Sequence, residues 1–136
     1  MIELYSRNIL VSSNATIPLN VVNVRKGKCA IESGAGSVNL NKCGVYVVTA
    51  NANVTSTDAG VITMQLQVNG VPQQQAIASE TIAAAGDIVN IGFTTLVQVT
   101  DNNGCGCCNA PTTLVLENTG IGATYNTVDL VVYKLN

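Results

Sequence analysis

The chain has 136 residues, one domain's worth, of which 10% are charged and 47% apolar, where soluble domains usually carry about 25% charged residues. A net charge of −2 and a pI near 4.8 argue against an electrostatic nucleic-acid binder, and a mean hydropathy of +0.33 argues against disorder. Histidine is absent, which removes the commonest general base, the Ser-His and Cys-His nucleophile pairs and the commonest zinc ligand.

The eight carboxylates, Glu3, Glu32, Asp58, Glu80, Asp87, Asp101, Glu117 and Asp129, are scattered along the chain. Composition therefore points away from an enzyme, and no cofactor is expected. With one Phe and no Trp, the core must come from aliphatic side chains, and Val (19), Asn (16) and Thr (14) are abundant. Val and Thr favour half-buried strands and Asn favours the turns between them.

Residues 1–8 have no basic segment followed by an apolar run, so no secretory signal is read there, and no stretch is apolar enough to span a membrane. The expectation is a complete product made in the cytosol, reaching any exterior location through assembly. Strand patterns then recur, broken every 8–12 residues by Gly, Asn, Asp or Pro, as in an antiparallel sandwich. Ile2 to Val11 reads as a strand or an arm. Ile17 to Val24 is the next strand, ended by the cationic turn Arg25-Lys26-Gly27-Lys28. Residues 29–31 and 38–40 form two short strands about the turn Ser33 to Gly36.

Val45 to Val54 is the first long strand, with Tyr46, Val48, Ala50, Ala52 and Val54 on one face. Val61 to Asn69 alternates Ile62, Met64, Leu66 and Val68 against Thr63, Gln65 and Gln67. Asn69-Gly70 is a strong hairpin signal, with Val71 to Ala78 returning. Ser79 to Ala85 suits a short capped helix or a strand, and is read as a strand. Ile88 to Thr100 places Val89, Ile91, Phe93, Val97 and Val99 opposite Leu96. Thr124 to Leu135 places Val128, Leu130 and Val132 opposite Tyr125, Val131, Tyr133 and Leu135. A strand apolar on both faces is buried on both, whereas a sandwich covers one face of each sheet. Self-association through Phe93, Leu96, Tyr125, Val131 and Tyr133 follows as the expectation.

The run Gly44-Val45-Tyr46-Val47-Val48-Thr49 resembles the G-x-Y-x-[VI]-[ST] strand of the C1q/TNF-like superfamily, in particular its bacterial and phage branch. That branch includes the C-terminal domains of collagen-like spore-surface glycoproteins and phage head or fibre knobs. Leu66-Gln67-Val68-Asn69-Gly70 resembles that branch's hairpin, and residues 128–135 resemble its final strand. The resemblance covers residues 15–136 and implies an all-β, two-sheet antiparallel jelly-roll sandwich of about ten strands, assembled as a homotrimer. Residues 1–14 would then be an N-terminal strand or anchoring arm. The cysteine-rich loop and the missing collagen-like stalk depart from the family pattern.

Cys29, Cys43, Cys105, Cys107 and Cys108 admit three readings: reduced thiols, some disulfide, or a metal site. Cys105, Cys107 and Cys108 are weak metal candidates, since adjacent cysteines point apart, although a threefold axis would gather one from each subunit. Cys29 and Cys43 flank a tight β excursion and are candidates for adjacency. Arg25, Lys26 and Lys28 read as a solvated turn. The glycosylation patterns at Asn14 and Asn53 read as chance. Calcium is disfavoured because Asp58, Asp87 and Asp101 are not gathered by any local run.

The resulting expectation is a non-enzymatic trimeric structural or adhesion protein of a bacteriophage virion, either a capsid decoration or a fibre knob. Residues 1–14 would contact other virion proteins, and host-surface glycans are candidate ligands of loops that include residues 101–111. No nucleic acid or membrane is expected as a partner. The alternative is a bacterial cell-surface or spore-coat module, or a soluble glycan-binding protein.

Overall fold

The computed structural model describes residues 1–34, 36–100 and 112–135. Every regular element among them is a strand: β1 Ile2–Val11, β2 Ala15–Thr16, β3 Val21–Arg25, β4 Ala30–Ser33, β5 Ser37–Leu40, β6 Gly44–Thr55, β7 Gly60–Val68, β8 Val71–Ile82, β9 Ile88–Val99, β10 Thr112–Asn118 and β11 Ala123–Lys134. Two antiparallel sheets form, one in the order β3-β1-β11-β6-β9 and one in the order β4-β5-β10-β7-β8, with β2 added against β10. The described residues thus form an all-β sandwich of eleven strands, where about ten were expected. Residues 2–11, read from sequence as a strand or an arm, form a strand held between β3 and β11.

Alternation builds the core. Tyr46, Val48, Ala50, Ala52 and Val54 of β6 face Ile62, Met64 and Leu66 of β7 and Leu114 and Leu116 of β10, all fully or almost fully buried. The β7–β8 hairpin closes through Asn69 and Gly70, both with positive φ (51° and 80°), and Val68 pairs with Val71 across it. Two left-handed residues in a two-residue loop make the type I′ turn whose twist matches the flanking strands. Strand β8 continues to Ile82, so residues 79–82 are strand, and a turn follows in which Gly86 N donates to Ser56 O at 2.9 Å.

The alternation breaks near Asn8 and Asn126, which sequence does not announce. Asn8 adopts a left-handed conformation (φ 55°) within β1, and the β11–β6 register slips between Tyr125 and Thr127. Ser6 pairs with Val128 and Ile9 with Tyr125, which sets Asn8 level with Asn126. On the Ser6 side of this kink, even-numbered residues of both strands point inward: Ile2, Leu4, Val128, Leu130 and Val132. Beyond it the odd-numbered Val11, Ala123 and Tyr125 do so. An extra residue in a strand reverses which side chains face the core, and Asn is among the few residues that tolerate φ > 0.

The position of Tyr125 therefore corrects the expectation. It was expected opposite Val128, Leu130 and Val132 and near the subunit contacts, but the kink turns it to their side, where it is 0% exposed within a single chain.

Candidate functional site

The two outer faces of the sandwich differ in chemistry. On the sheet containing β7, β8 and β10, polar side chains bond sideways to one another. Thr63 and Ser79 hydroxyls pair at 2.8 Å, Gln65 Nε2 donates to Gln73 O at 3.1 Å, the Gln67 amide donates to the Glu117 carboxylate, and Thr113 Oγ1 donates to Asn39 Oδ1 at 3.0 Å. Such a surface is suited to water, with Val61, Val71 and Ile77 as its exposed large apolar side chains.

The outer face of the β3-β1-β11-β6-β9 sheet is organised in rows fixed by register. Tyr133 lies beside Val47, and Val47 beside Leu96. The next row runs Val24, Glu3, Val131, Thr49, Thr94, and the one after it Tyr5, Asp129, Asn51, Gly92. Thr49 and Thr94 hydroxyls meet at 3.2 Å, and Asn90 Nδ2 donates to Asn53 Oδ1 at 2.7 Å. Asn51 lies over Gly92, where any Cβ would collide with its side-chain oxygen. Leu135 N donates to Val45 O at 2.8 Å, which brings the exposed Leu135 to the apolar end. One corner is thus apolar, built from Val47, Leu96, Val131, Tyr133 and Leu135. Strand β9, the edge of this sheet, has no charged residue in its twelve.

The five residues singled out from sequence separate here. Leu96 (57% exposed) and Tyr133 (39%) stand with the half-buried Val131 on this outer corner. Phe93 sits on the inward side of β9, partly buried against the core, and Tyr125 lies wholly inside. Val47 completes the corner and was missed, because the face it shares with Asn51 and Asn53 was read as polar.

Burial pushes the Tyr125 phenol far up from its ordinary range. The Tyr46 phenol is also raised, by burial first, and it donates to Lys42 O at 2.8 Å. Asp129 is held above the ordinary carboxylate range, by burial first and then by the neighbouring Glu3.

Cys29 is a half-buried free thiol and Cys43 is disulfide-bonded, so these two do not pair with each other. Cys105, Cys107 and Cys108 lie outside the described residues, as does Asp101. Among the described residues no group of three His, Cys, Asp or Glu side chains is placed to hold a metal. Asp87 serves its own turn, accepting from Ala84 N at 3.3 Å. Arg25 reaches Glu32 at 4.0 Å, an exposed contact worth little. No helix among the described residues is long and apolar enough to cross a membrane.

No protein-family model matches the chain, and no curated protein matches it in sequence. Solved structures do. The Eiger TNF of S. frugiperda superposes with a TM-score of 0.72 at 13% identity, covering 99% of this chain and 92% of that one. The globular domain of zebrafish complement 1qA gives 0.71 at 8% identity, covering 99% and 96%. The fold is a TNF/C1q-like jelly roll. The PRD1 vertex protein P5 gives 0.60 at 15% identity over 99% and 96% of the two chains. At these identities the likeness is one of fold.

Proposed function

We propose that this jelly roll is a non-enzymatic structural protein that associates as a homotrimer through the outer face of its β3-β1-β11-β6-β9 sheet. The observation that carries this reading is the asymmetry between the two outer faces. One is a hydrogen-bonded polar surface. The other ends in an apolar corner of Val47, Leu96, Val131, Tyr133 and Leu135 beside an uncharged twelve-residue edge strand. Natural edge strands are usually blunted by charge, proline or cover; β9 has neither charge nor proline, and β8 of the other sheet lies alongside it.

A second copy supplies an apolar face to be covered, so repeating the contact around a closed ring satisfies every copy. The resemblance to C1q/TNF-like proteins implies three copies. Obligate interfaces bury about 2,000–5,000 Å², which at roughly 25 cal/mol per Å² leaves little free monomer.

The trimer is, on this reading, a surface component of a bacteriophage particle, as a capsid decoration or a fibre knob. A phage vertex protein among the structures of this fold supports it. Contacts of residues 1–14 with other particle proteins are then made by a strand already inside the sheet, and the loops at one end are left for host-surface glycans. Gradient-purified particles analysed by mass spectrometry test the placement. Recovery of this chain in stoichiometric amount with capsid or tail proteins supports it. Recovery only in a bacterial surface or spore-coat fraction overturns it.

A further inference from the structure

Five of the six Lys and Arg residues gather at one end of the sandwich, although the chain carries a net charge of −2. Arg25 closes β3, level with Ile2 at the start of β1. Lys26 and Lys28 lie in the turn that carries the chain across to β4 in the other sheet, and Lys42 in the turn that brings it back from β5 to β6. Lys134 ends β11 on the same side as the buried Val132, level with the buried Tyr46.

Hydrogen bonds fix these turns against each other. Asn41 N donates to Cys29 O at 2.8 Å, and Asn41 Nδ2 donates to Lys28 O at 3.3 Å. The Tyr46 phenol donates to Lys42 O at 2.8 Å and lies 3.4 Å from Cys29 O. Lys26 N donates to Met1 O at 2.8 Å. The backbone is thereby held, while Arg25, Lys26, Lys28 and Lys42 are exposed and Lys134 is half-buried.

Little on the chain compensates this charge. Arg25 reaches Glu32 at 4.0 Å, and among the described residues none of the four lysines forms an ion pair. Glu3, two strand positions in from this end, is held by Asn23. Asp58 and Asp87 lie in the β6–β7 and β8–β9 turns, at the opposite end. Asp101 lies outside the described residues.

We propose that this end docks onto a protein surface rich in Asp and Glu side chains. It is a different surface from the outer face assigned to self-association. Strands β3 and β6 stand three spacings apart in one sheet, about 14 Å, and the second sheet lies about 10 Å away. Cations spread in two dimensions match a folded surface better than a single polymer strand. Lysine supplies four of the five, and it is a point charge without the planar fork that grips phosphate in two places. The one arginine already meets a carboxylate, that of Glu32. Tyr46 is buried and Tyr133 lies on the outer sheet face beside Val47, so neither offers nucleic-acid bases a stacking platform among the lysines. Each exposed ion pair is weak and screened by salt, so binding depends on several forming together.

The test is retention on immobilised poly-L-glutamate at about pH 7 and low ionic strength, with sedimentation velocity and circular dichroism on the same samples. Wild type is compared with Lys26→Glu/Lys28→Glu, with Lys42→Glu and with Ala83→Glu/Ala85→Glu. The last makes the same charge change as Lys42→Glu, at exposed positions of the opposite end. The expected result is that wild type binds despite its negative net charge and is released as salt rises. Binding weakens at least about tenfold in Lys26→Glu/Lys28→Glu and about threefold in Lys42→Glu, and is unchanged in Ala83→Glu/Ala85→Glu. Wild type that passes unretained, or an equal loss in Lys42→Glu and Ala83→Glu/Ala85→Glu, overturns the proposal. Retention on immobilised polyphosphate with none on poly-L-glutamate overturns it in favour of a phosphate-bearing partner. Sedimentation as single chains overturns the self-association reading alone, because all five cations belong to one chain.

Discussion

The phenol of Tyr125 donates a hydrogen bond of 3.2 Å to Oδ1 of Asn118, and both side chains are 0% exposed. Asn118 Nδ2 in turn is shared among Val11 O and Ser12 O at 3.2 Å and Ile121 O at 3.0 Å. One amide thereby ties the end of β1, the β10–β11 turn and the core face of β11. Tyr125→Phe leaves the Asn118 oxygen buried without its donor, at a cost of about 1–2 kcal/mol. Asn118→Ala takes the acceptor from the phenol and one donor from each of Val11 O, Ser12 O and Ile121 O, of which Ser12 O keeps Ala15 N at 3.2 Å, and should cost about 3 kcal/mol. Thermal unfolding at fixed protein concentration should rank wild type, Tyr125→Phe and Asn118→Ala in that order of decreasing stability. Equal melting temperatures would remove the network from the account.

Backbone crowding at Gly120 gives a second expectation. A Cβ there would lie 2.5 Å from Val61 O and 2.6 Å from Thr63 N. The turn cannot retreat easily, because Thr119 N bonds Thr63 O at 3.0 Å and Ile121 N bonds Val61 O at 3.1 Å. Gly120→Ala should destabilise by about 2 kcal/mol or more, as overpacking against fixed backbone does. Gly122→Ala, whose added carbon meets nothing closer than 3.8 Å, should change stability by less than about 0.5 kcal/mol. Denaturant midpoints of the two variants measure the contrast.

The pH dependence of folding stability carries the mark of Asp129. Burial and Glu3 hold its carboxyl above the ordinary range, so the folded chain binds more protons than the unfolded one in the interval between the two values. Stability therefore falls as pH rises through that interval. Asp129→Asn should leave the melting temperature nearly unchanged near pH 3.5, where the acid is largely neutral in both states, and raise it near pH 7. A variant less stable than wild type by the same margin at both pH values would contradict this.

Much of the sandwich was legible because β6 and most of β7 keep a period of two. The inward set of β6, from Tyr46 to Val54, and that of β7, from Ile62 to Leu66, were readable residue by residue, and Asn69-Gly70 named its own turn. The Asn8–Asn126 kink was not legible. Nothing in either strand's composition distinguishes an Asn that continues a strand from one that adds a left-handed residue, and a single such residue exchanges the two faces. Tyr125 was consequently placed opposite Val128, Leu130 and Val132. Val47 was overlooked for a different reason. It follows Val45 on an alternate face that is otherwise polar, and only its neighbours Tyr133 and Leu96, supplied by strands far away in sequence, make it part of a patch.

The apolar corner yields the mutational prediction. Leu96 points away from the core and is 57% exposed in one chain, so Leu96→Asp should barely disturb the fold of that chain. At a covered interface the same carboxylate is an unpaired buried charge costing several kcal/mol. Leu96→Asp should therefore shift the protein toward monomer with its circular dichroism preserved, while Ile77→Asp on the opposite, polar face leaves the oligomer intact. Equal effects of the two substitutions on oligomeric state would remove the reason for assigning the contact to this face.

The most direct measurement is the molar mass of the purified wild-type chain in solution, by light scattering coupled to size exclusion at micromolar concentration and mildly acidic pH. The account predicts a single species at three times the 14.1 kDa chain mass, persisting on dilution. A species at the mass of one chain, with the fold intact by circular dichroism, would contradict it.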